Sequence, residues 1–344
     1  MTKRHRPDMR PLLAWYGAHQ RDLPWRKNAD PYRVWLSEVM LQQTTVPTVL
    51  GYFERFLARW PTIEGLARAS QDEVLAQWAG LGYYARARKL HECAKLIADE
   101  CNGRFPNTIE ALEELPGIGP YTARAVAAIA FNVDAVPLDG NIERVTARLF
   151  AVTDPLPQAK PRLAALAQSL AAPGQCGDLA QALMDLGATI CTPTKPDCPQ
   201  CPIRQDCRAQ AQGLAETLPA REKRAAKPQR FGVAFFAERK SDGAFLVRKR
   251  PEKGLLGGML ELPGTDWRAE PWTDKEAMAH APSGNGWRKA GRAKHVFTHF
   301  ALDLVVMSGY ATRLSQGCFW AKPDQLADLA LPTLMKKALR IVRP

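Results

Sequence analysis

Leu115-Pro-Gly-Ile-Gly-Pro-Tyr-Thr-Ala123 is the stretch on which the reading of the fold turns. Gly117 and Gly119 let backbone amides crowd together in a tight turn, because a residue without Cβ tolerates conformations closed to others. The turn opens directly into an alanine-rich helix, Thr122-Ala-Arg-Ala-Val-Ala-Ala-Ile-Ala130. The free amides of the first turn and the positive end of the helix dipole then face one anion. Such a grip suits a DNA phosphate and is indifferent to base sequence. A Gly-x-Gly pair alone often marks an ordinary helix–helix connection. The full string, within a basic and helical chain, is more specific.

Outward from this hairpin the first 220 residues read as helices. Val49, Leu50, Phe53, Phe56, Leu57 and Trp60 repeat at helical spacing, as do Leu90, Ala94, Ile97, Ala98 and Cys101. Gly80 and Gly82 punctuate the turn before the second series. A further helix, Asp178 to Cys191, delivers a cysteine at its end. Composition then shifts. Residues 221–230, REKRAAKPQR, carry five basic residues and one acid and read as an exposed linker. Beyond it, Phe231–Arg239 and Ala244–Arg250 flank Ser241-Asp242-Gly243 as a β-hairpin. Val296, Thr298, Phe300, Leu302, Leu304 and Val306 alternate as one long strand, and Leu334–Val342 forms a basic helix. The C-terminal third is therefore α+β, and the chain is multidomain.

The 344 residues carry a net charge of +12 and a pI near 9.4, which points to an anionic partner, nucleic acid first. With 46% hydrophobic residues the chain can bury sizeable cores. The basic N-terminus lacks the apolar run of a signal peptide, and no stretch of about 18 apolar residues exists to span a membrane. Eight cysteines without a secretory signal imply a reducing, cytoplasmic setting.

Four of those cysteines, Cys191, Cys198, Cys201 and Cys207, are spaced C-x6-C-x2-C-x5-C. Four thiolates within so short a span can hold an iron–sulfur cluster or a zinc ion, and spacing alone does not choose between them. Cys93, Cys101, Cys176 and Cys318 show no such spacing and read as small packing residues.

The hairpin string resembles the helix-hairpin-helix of the endonuclease III-like DNA glycosylases, and the cysteine spacing resembles their [4Fe–4S] loop. The likeness runs from Pro24 to Cys207. Within that superfamily, Pro24-Trp-Arg26, Trp35 to Thr44 (WLSEVMLQQT), Gly80 to Arg88 (GLGYYARAR) and Leu138-Asp-Gly-Asn141 look like the MutY-type adenine DNA glycosylases, which remove adenine mispaired with 8-oxoguanine. The resemblance implies an all-α glycosylase domain over 1–220, made of a six-helix barrel at about 26–138 and an iron–sulfur subdomain from about 1–25 and 139–220. It implies iron rather than zinc on the four cysteines. Residues 231–344 resemble the appended MutT-like (Nudix-type) domain.

The chemistry asked of such an enzyme can be stated independently. Cleaving an N-glycosidic bond passes through an oxocarbenium-like sugar. The leaving base needs a proton and the cation a negative neighbour, so two carboxylates in unlike environments meet the demand. Glu38, among Trp35, Leu36, Val39 and Met40, sits where burial would raise its pKa and keep it an acid. The resemblance places Glu38 at the family's general acid, acting on adenine N7. It places Asp139 at the second carboxylate, stabilising the cation by charge or through a transient covalent adduct, with Asn141 and Tyr121 orienting the groups around it.

Strand-cutting relatives carry a lysine where this chain has Tyr121, so the resemblance implies a glycosylase without a lyase step. Glu143 stands where some members have a lysine, an incidental cross-linker. The target adenine must be flipped from the duplex. By resemblance Gln42 and Tyr83 wedge into the stack, Thr44 contacts the orphaned base, and Arg26 lies near the adenine pocket. One of Tyr83 and Tyr84 is expected in the core. Lys294 to Phe300 (KHVFTHF) looks like the lesion-reading loop, with Phe297, Thr298 and His299 in contact positions and threonine in place of the usual serine.

The partner so implied is double-stranded DNA bearing A·8-oxoguanine or A·G, bound by a monomer away from membranes. Three rival readings differ in what they require. A Nudix pyrophosphohydrolase needs a glutamate-rich metal box, absent from Gly257–Trp287, where only Glu261, Glu270 and Glu276 occur. An iron–sulfur DNA-binding sensor would not need Glu38 and Asp139. An endonuclease III-type enzyme for oxidised pyrimidines fits neither Tyr121 nor the extra domain.

Overall fold

The computed structural model describes residues 6–222, 226–251, 254–326, 329 and 331–343; Lys223, Arg224 and Ala225 of the expected linker lie outside the described residues. Two compact units emerge, one from residues 6–68 and 89–222, the other from residues 69–88 and 226–343.

The first unit is helical. The Pro31–Leu41 helix starts where Asp30 accepts a hydrogen bond from the Arg33 amide at 2.9 Å and Pro31 supplies a φ suited to the first turn. It buries Tyr32 and the seven consecutive residues Val34 to Met40, so it is enclosed almost all round. The Val46–Arg59 helix is one-sided and buries Val49, Phe53 and Phe56. The Pro120–Phe131 helix begins at Gly119 and ends on Asn132 in the left-handed region. Its buried alanines let neighbours come close, and it packs on the Pro31–Leu41 and Cys176–Thr189 helices. At Gly177 a Cβ would fall 2.8 Å from the Ala128 carbonyl, so only glycine permits that approach. The Gly140–Leu149 helix packs against Cys176–Thr189 as well. Four helices thus converge on one point.

In the second unit, strands β1 (Gln229–Glu238), β2 (Phe245–Lys249), β3 (Leu260–Glu261), β4 (Asn285–Val296), β5 (Ala301–Tyr310) and β6 (Cys318–Ala321) form a mixed sheet. Its order is β3-β2-β1-β5-β4, with β6 also on β2. β1 and β5 run parallel and the other pairs antiparallel. The Thr333–Val342 helix covers one face with Leu334, Met335, Ala338 and Leu339 over Phe236, Leu304 and Val306. The other face packs Val233 and Phe235 against Trp272 and Ala277 near the short Asp274–Met278 helix. The expected β1–β2 hairpin is present, with Glu238 opposite Phe245 and Gly243 at φ +69° in its turn.

The single strand expected over Val296–Val306 is not formed. Val296 ends β4, Ala301 begins β5, and the two are cross-strand partners. Phe297 N–H donates to the Phe300 carbonyl at 2.8 Å and closes the turn between them. Trp267 meets both Phe297 and Phe300, so inward-facing aromatics flank the reversal and the alternation runs unbroken through it. Among the described residues no helix is long and apolar enough to cross a membrane.

Candidate active site

Glu38 occupies the buried face of the Pro31–Leu41 helix and is 5% exposed. Tyr121, second residue of the helix after the glycine turn, donates its hydroxyl to Glu38 Oε2 at 2.6 Å. Burial pushes the Glu38 carboxyl from 4.5 up to about 7. The Tyr121 hydrogen bond pulls it down, nearby Asp139 pushes it up again, and Arg26 pulls it down. Burial, and then the adjacent carboxylates, hold the Tyr121 phenol well above its ordinary value, so it remains a donor. A carboxyl poised near neutrality can give up a proton to a bound base.

Asp139 caps the Gly140–Leu149 helix. Its Oδ1 accepts from the Asn141 and Ile142 amides at 3.0 and 2.7 Å, and its Oδ2 from Asn141 Nδ2 at 2.9 Å. Burial pushes its pKa upward; these three donors and the Arg144 guanidinium oppose that. The helix N-terminus favours an anion here too. Two carboxyls are therefore differentiated. Glu38 has one phenolic donor in an apolar shell, whereas Asp139 has a full set of donors to its charged form.

Both line a cavity of about 940 Å³. Its wall also holds Gln42, Thr44, Gly117, Gly119, Tyr121 and Asn141, so the hairpin glycines and the carboxyls share one opening. Gly117 takes φ +78°, and a Cβ there would sit 2.7 Å from Lys89 Cβ, which requires glycine twice over. Gln42 donates its side-chain amide to Thr122 Oγ1 at 3.1 Å, and Thr44 Oγ1 donates to the Gln42 carbonyl at 3.3 Å. Gln43 between them is held at φ +58°, unusual for a residue with a Cβ. Arg26 forms a two-pronged pair with Asp185 at 2.6 and 2.8 Å, and Arg21 joins at 2.5 Å. Burial would raise the Asp185 carboxyl, but Arg26 and Arg21 outweigh it and hold it below its usual value. A smaller space of about 40 Å³ lies between Arg26 and Glu38.

Cys191, Cys198, Cys201 and Cys207 are half-buried free thiols in the loop after the Cys176–Thr189 helix. Burial raises Cys198, Cys207 and Cys201, the last to about 12, and neighbouring cysteines of the set add to each. Arg148, fully buried, donates to Cys191 Sγ at 3.2 Å and to the Thr192, Pro193 and Leu218 carbonyls. Among the described residues no three His, Cys, Asp or Glu side chains close into a cage for a single metal ion. Four thiols beside a buried guanidinium are the donor type that thiolate-bound metal centres use.

In the second unit, Thr298 and His299 are exposed at the β4–β5 turn, and Phe297 is half-buried with its ring 5.5 Å from that of Trp267. Tyr83 is 48% exposed at φ +49° while Tyr84 is buried. The Tyr83 and Thr298 hydroxyls lie 3.5 Å apart.

Four residues not singled out from sequence prove central. Arg144 donates to Asn141 Oδ1 at 2.9 Å and to the Gly187 and Cys191 carbonyls at 2.6 and 2.7 Å, tying the Asp139 cap to the cysteine loop. Arg148 and Asp185 anchor that loop and Arg26. Gly187 faces Asn141 so closely that a Cβ would lie 2.6 Å from Asn141 Cβ and 3.1 Å from its Cα. Only the missing side chain of Gly187 carried a sequence signal. Buried charges at helix positions carry none.

Residues 36–171 match the family model of the HhH-GPD superfamily base excision DNA repair proteins, and residues 234–340 that of the NUDIX domain. A human adenine DNA glycosylase (Homo sapiens) is 35% identical over 96% of this chain and 73% of its own length. The chain belongs to the adenine DNA glycosylases. Two solved structures resemble this glycosylase over 59% of its chain. A thermostable thymine-DNA glycosylase is 30% identical, matched over 94% of its length with a TM-score of 0.54. A trapped endonuclease III–DNA covalent intermediate is 22% identical, matched over 93% with a TM-score of 0.50, a likeness of fold. The glycosylase therefore joins a helix-hairpin-helix core to a Nudix-like domain.

Proposed function

We propose that this base-excision enzyme removes adenine paired with 8-oxoguanine or guanine, and that it cleaves the N-glycosidic bond without cutting the strand. The observation that carries the reading is the Glu38 carboxyl, raised by burial to about 7 and hydrogen-bonded to Tyr121, beside Asp139 in one large cavity. Glu38 gives its proton to adenine N7. The C1′–N9 bond breaks with its electron pair passing to the base. Asp139, held by three N–H donors, faces the cation on C1′. Water adds there and its proton passes to a carboxylate. Tyr121 and Asn141 orient the two carboxyls. No lysine stands at position 121 to attack C1′, so the product is an intact strand with an abasic site.

Gly117 and Gly119 present amides to a phosphate of double-stranded DNA, and the cations on this +12 chain add the general attraction. Gln42, Tyr83, Thr44 and Arg26 handle the displaced bases, and Phe297, Thr298 and His299 read the lesion. Cys191, Cys198, Cys201 and Cys207 hold a [4Fe–4S] cluster, which when bound supplies a rigid crosslink for the loop. The enzyme acts as a monomer in the cytoplasm, on the nucleoid where the cell is bacterial. The test is single-turnover adenine release from A·8-oxoguanine and A·G duplexes. Glu38→Gln is expected to bind the mismatch and to lose about 10²–10⁴-fold in excision. Near-normal release by that variant removes Glu38 from the mechanism.

A further inference from the structure

We propose a second DNA-backbone contact, formed by edge strand β4 together with the C-terminal helix Thr333–Val342; it rests on the DNA-glycosylase reading above. β4 is the last strand of its sheet and carries Arg288, Lys289, Arg292 and Lys294, all exposed. The helix packed beside it adds Lys336, Lys337 and Arg340. From Ala277 to Leu302, and from Leu331 to Arg343, the sequence contains no acidic residue. Among the described residues Asp303 is paired with Arg292 at 2.9 Å and Glu238 with Arg343 at 2.5 Å. Six cations of the patch are left without an acidic partner among the ion pairs described.

The cations straddle the strand. Lys289 and Lys294 stand opposite Met307 and Asp303, on the side of the sheet that bears Trp272. Arg288 stands opposite Ser308, and its Nε donates to Ser308 Oγ at 3.4 Å beside a groove of about 340 Å³ also lined by Lys289, Ser308 and Tyr310. Lys337 donates to the Lys294 carbonyl at 3.2 Å, which fastens the helix's basic side to the strand. Lysines often blunt a sheet edge against other strands. That role needs one or two cations and is served as well by mixed charge, whereas this edge has a single sign throughout.

A polyanion fits such a ridge, and the substrate duplex is the polyanion this enzyme meets. β4 runs directly into the Phe297–His299 turn. Whatever backbone flanks a base read at that turn is drawn along the strand. At about 3.3 Å per residue, Lys289 to Lys294 spans roughly 15 Å, comparable to about four phosphates at 3.4 Å of axis per strand.

The experiment uses the full chain. Binding of wild type, Arg288→Ser/Lys289→Ser and Lys336→Ser/Lys337→Ser/Arg340→Ser to an A·8-oxoguanine duplex and an undamaged duplex is titrated against salt. Each lost phosphate contact should lower the slope of log K against log salt by about 0.9, so the double variant should lose about 2. The loss should be alike on both duplexes, and the excision rate at saturating enzyme should not change, which also shows that the variants fold. A wild type that excises adenine and variants that keep the wild-type slope overturn the contact alone. A wild type that binds neither duplex overturns the contact and the glycosylase reading together.

Discussion

Burying Glu38 has a cost in stability that follows from its position. Its carboxyl titrates at 4.5 in ordinary surroundings and at about 7 in the fold. The folded state therefore binds this proton more tightly than the unfolded one. Below pH 4.5 both states are protonated and nothing is lost. Between 4.5 and 7 the unfolded chain ionises while the folded chain does not, and stability falls; above 7 the loss is complete. At 1.36 kcal/mol per unit, a rise from 4.5 to about 7 amounts to about 3 kcal/mol. Glu38→Gln fills the same volume, keeps an acceptor for Tyr121 and has no charge to bury. It should be more stable than wild type at pH 8 by about 3 kcal/mol and about equal at pH 4.5. In a unit of this size each kcal/mol moves the melting temperature by roughly 2–4 °C. Thermal unfolding of both proteins across this pH range is the assay. A stability difference that stays constant with pH would refute the raised carboxyl. In the same window, wild-type excision should fall about tenfold per pH unit above 7 as the acid is depleted.

Tyr121→Lys places an amine beside Asp139 and should confer some strand cutting through a Schiff base, trappable with borohydride, whereas wild type leaves an alkali-labile site; efficient cutting by wild type would contradict the reading. His299→Ala should still release adenine opposite guanine while its preference for 8-oxoguanine falls about tenfold, for one contact of about 1–3 kcal/mol; an unchanged ratio on paired duplexes would place lesion reading elsewhere. The purified protein should be yellow-brown with roughly four irons per chain, and removing them should loosen the loop that Arg148 and Arg144 fasten. Stoichiometric zinc without a visible absorption band would exclude the cluster.

Much of this was legible in the sequence because the signals are local. Gly117, Gly119 and Pro120 force a turn and start a helix, while Glu38, which read alone is more often a solvated helix residue, was singled out by the family resemblance of the string around it. The alternation from Val296 to Val306 misled because Phe297-Thr-His-Phe300 reverses the chain without glycine or proline. Its aromatic ends pack inward, so the period of two survives the turn. Arg144, Arg148 and Asp185 were illegible for a different reason. Their partners are carbonyls, amides and guanidinium groups from elements distant in sequence, and a charged residue on a helix reads as solvent-facing until those partners are in place. Residues 69–88 group with the second unit through contacts that no local pattern encodes.

Gly187 gives the site a vulnerability that no list of reactive groups would reveal. It touches no substrate and offers no side chain, yet the spacing between two helices, and through Asn141 the seat of Asp139, depends on nothing being there. A single methyl, 2.6 Å from Asn141 Cβ, would act as a wedge. The wedge bears directly on the residue that caps with Asp139, and a displacement on the order of 1 Å at a reacting group can cost about 10²-fold in rate. An alanine at this position would thus strike the seat of Asp139 from outside the reacting groups, a lesion of tolerance rather than of chemistry.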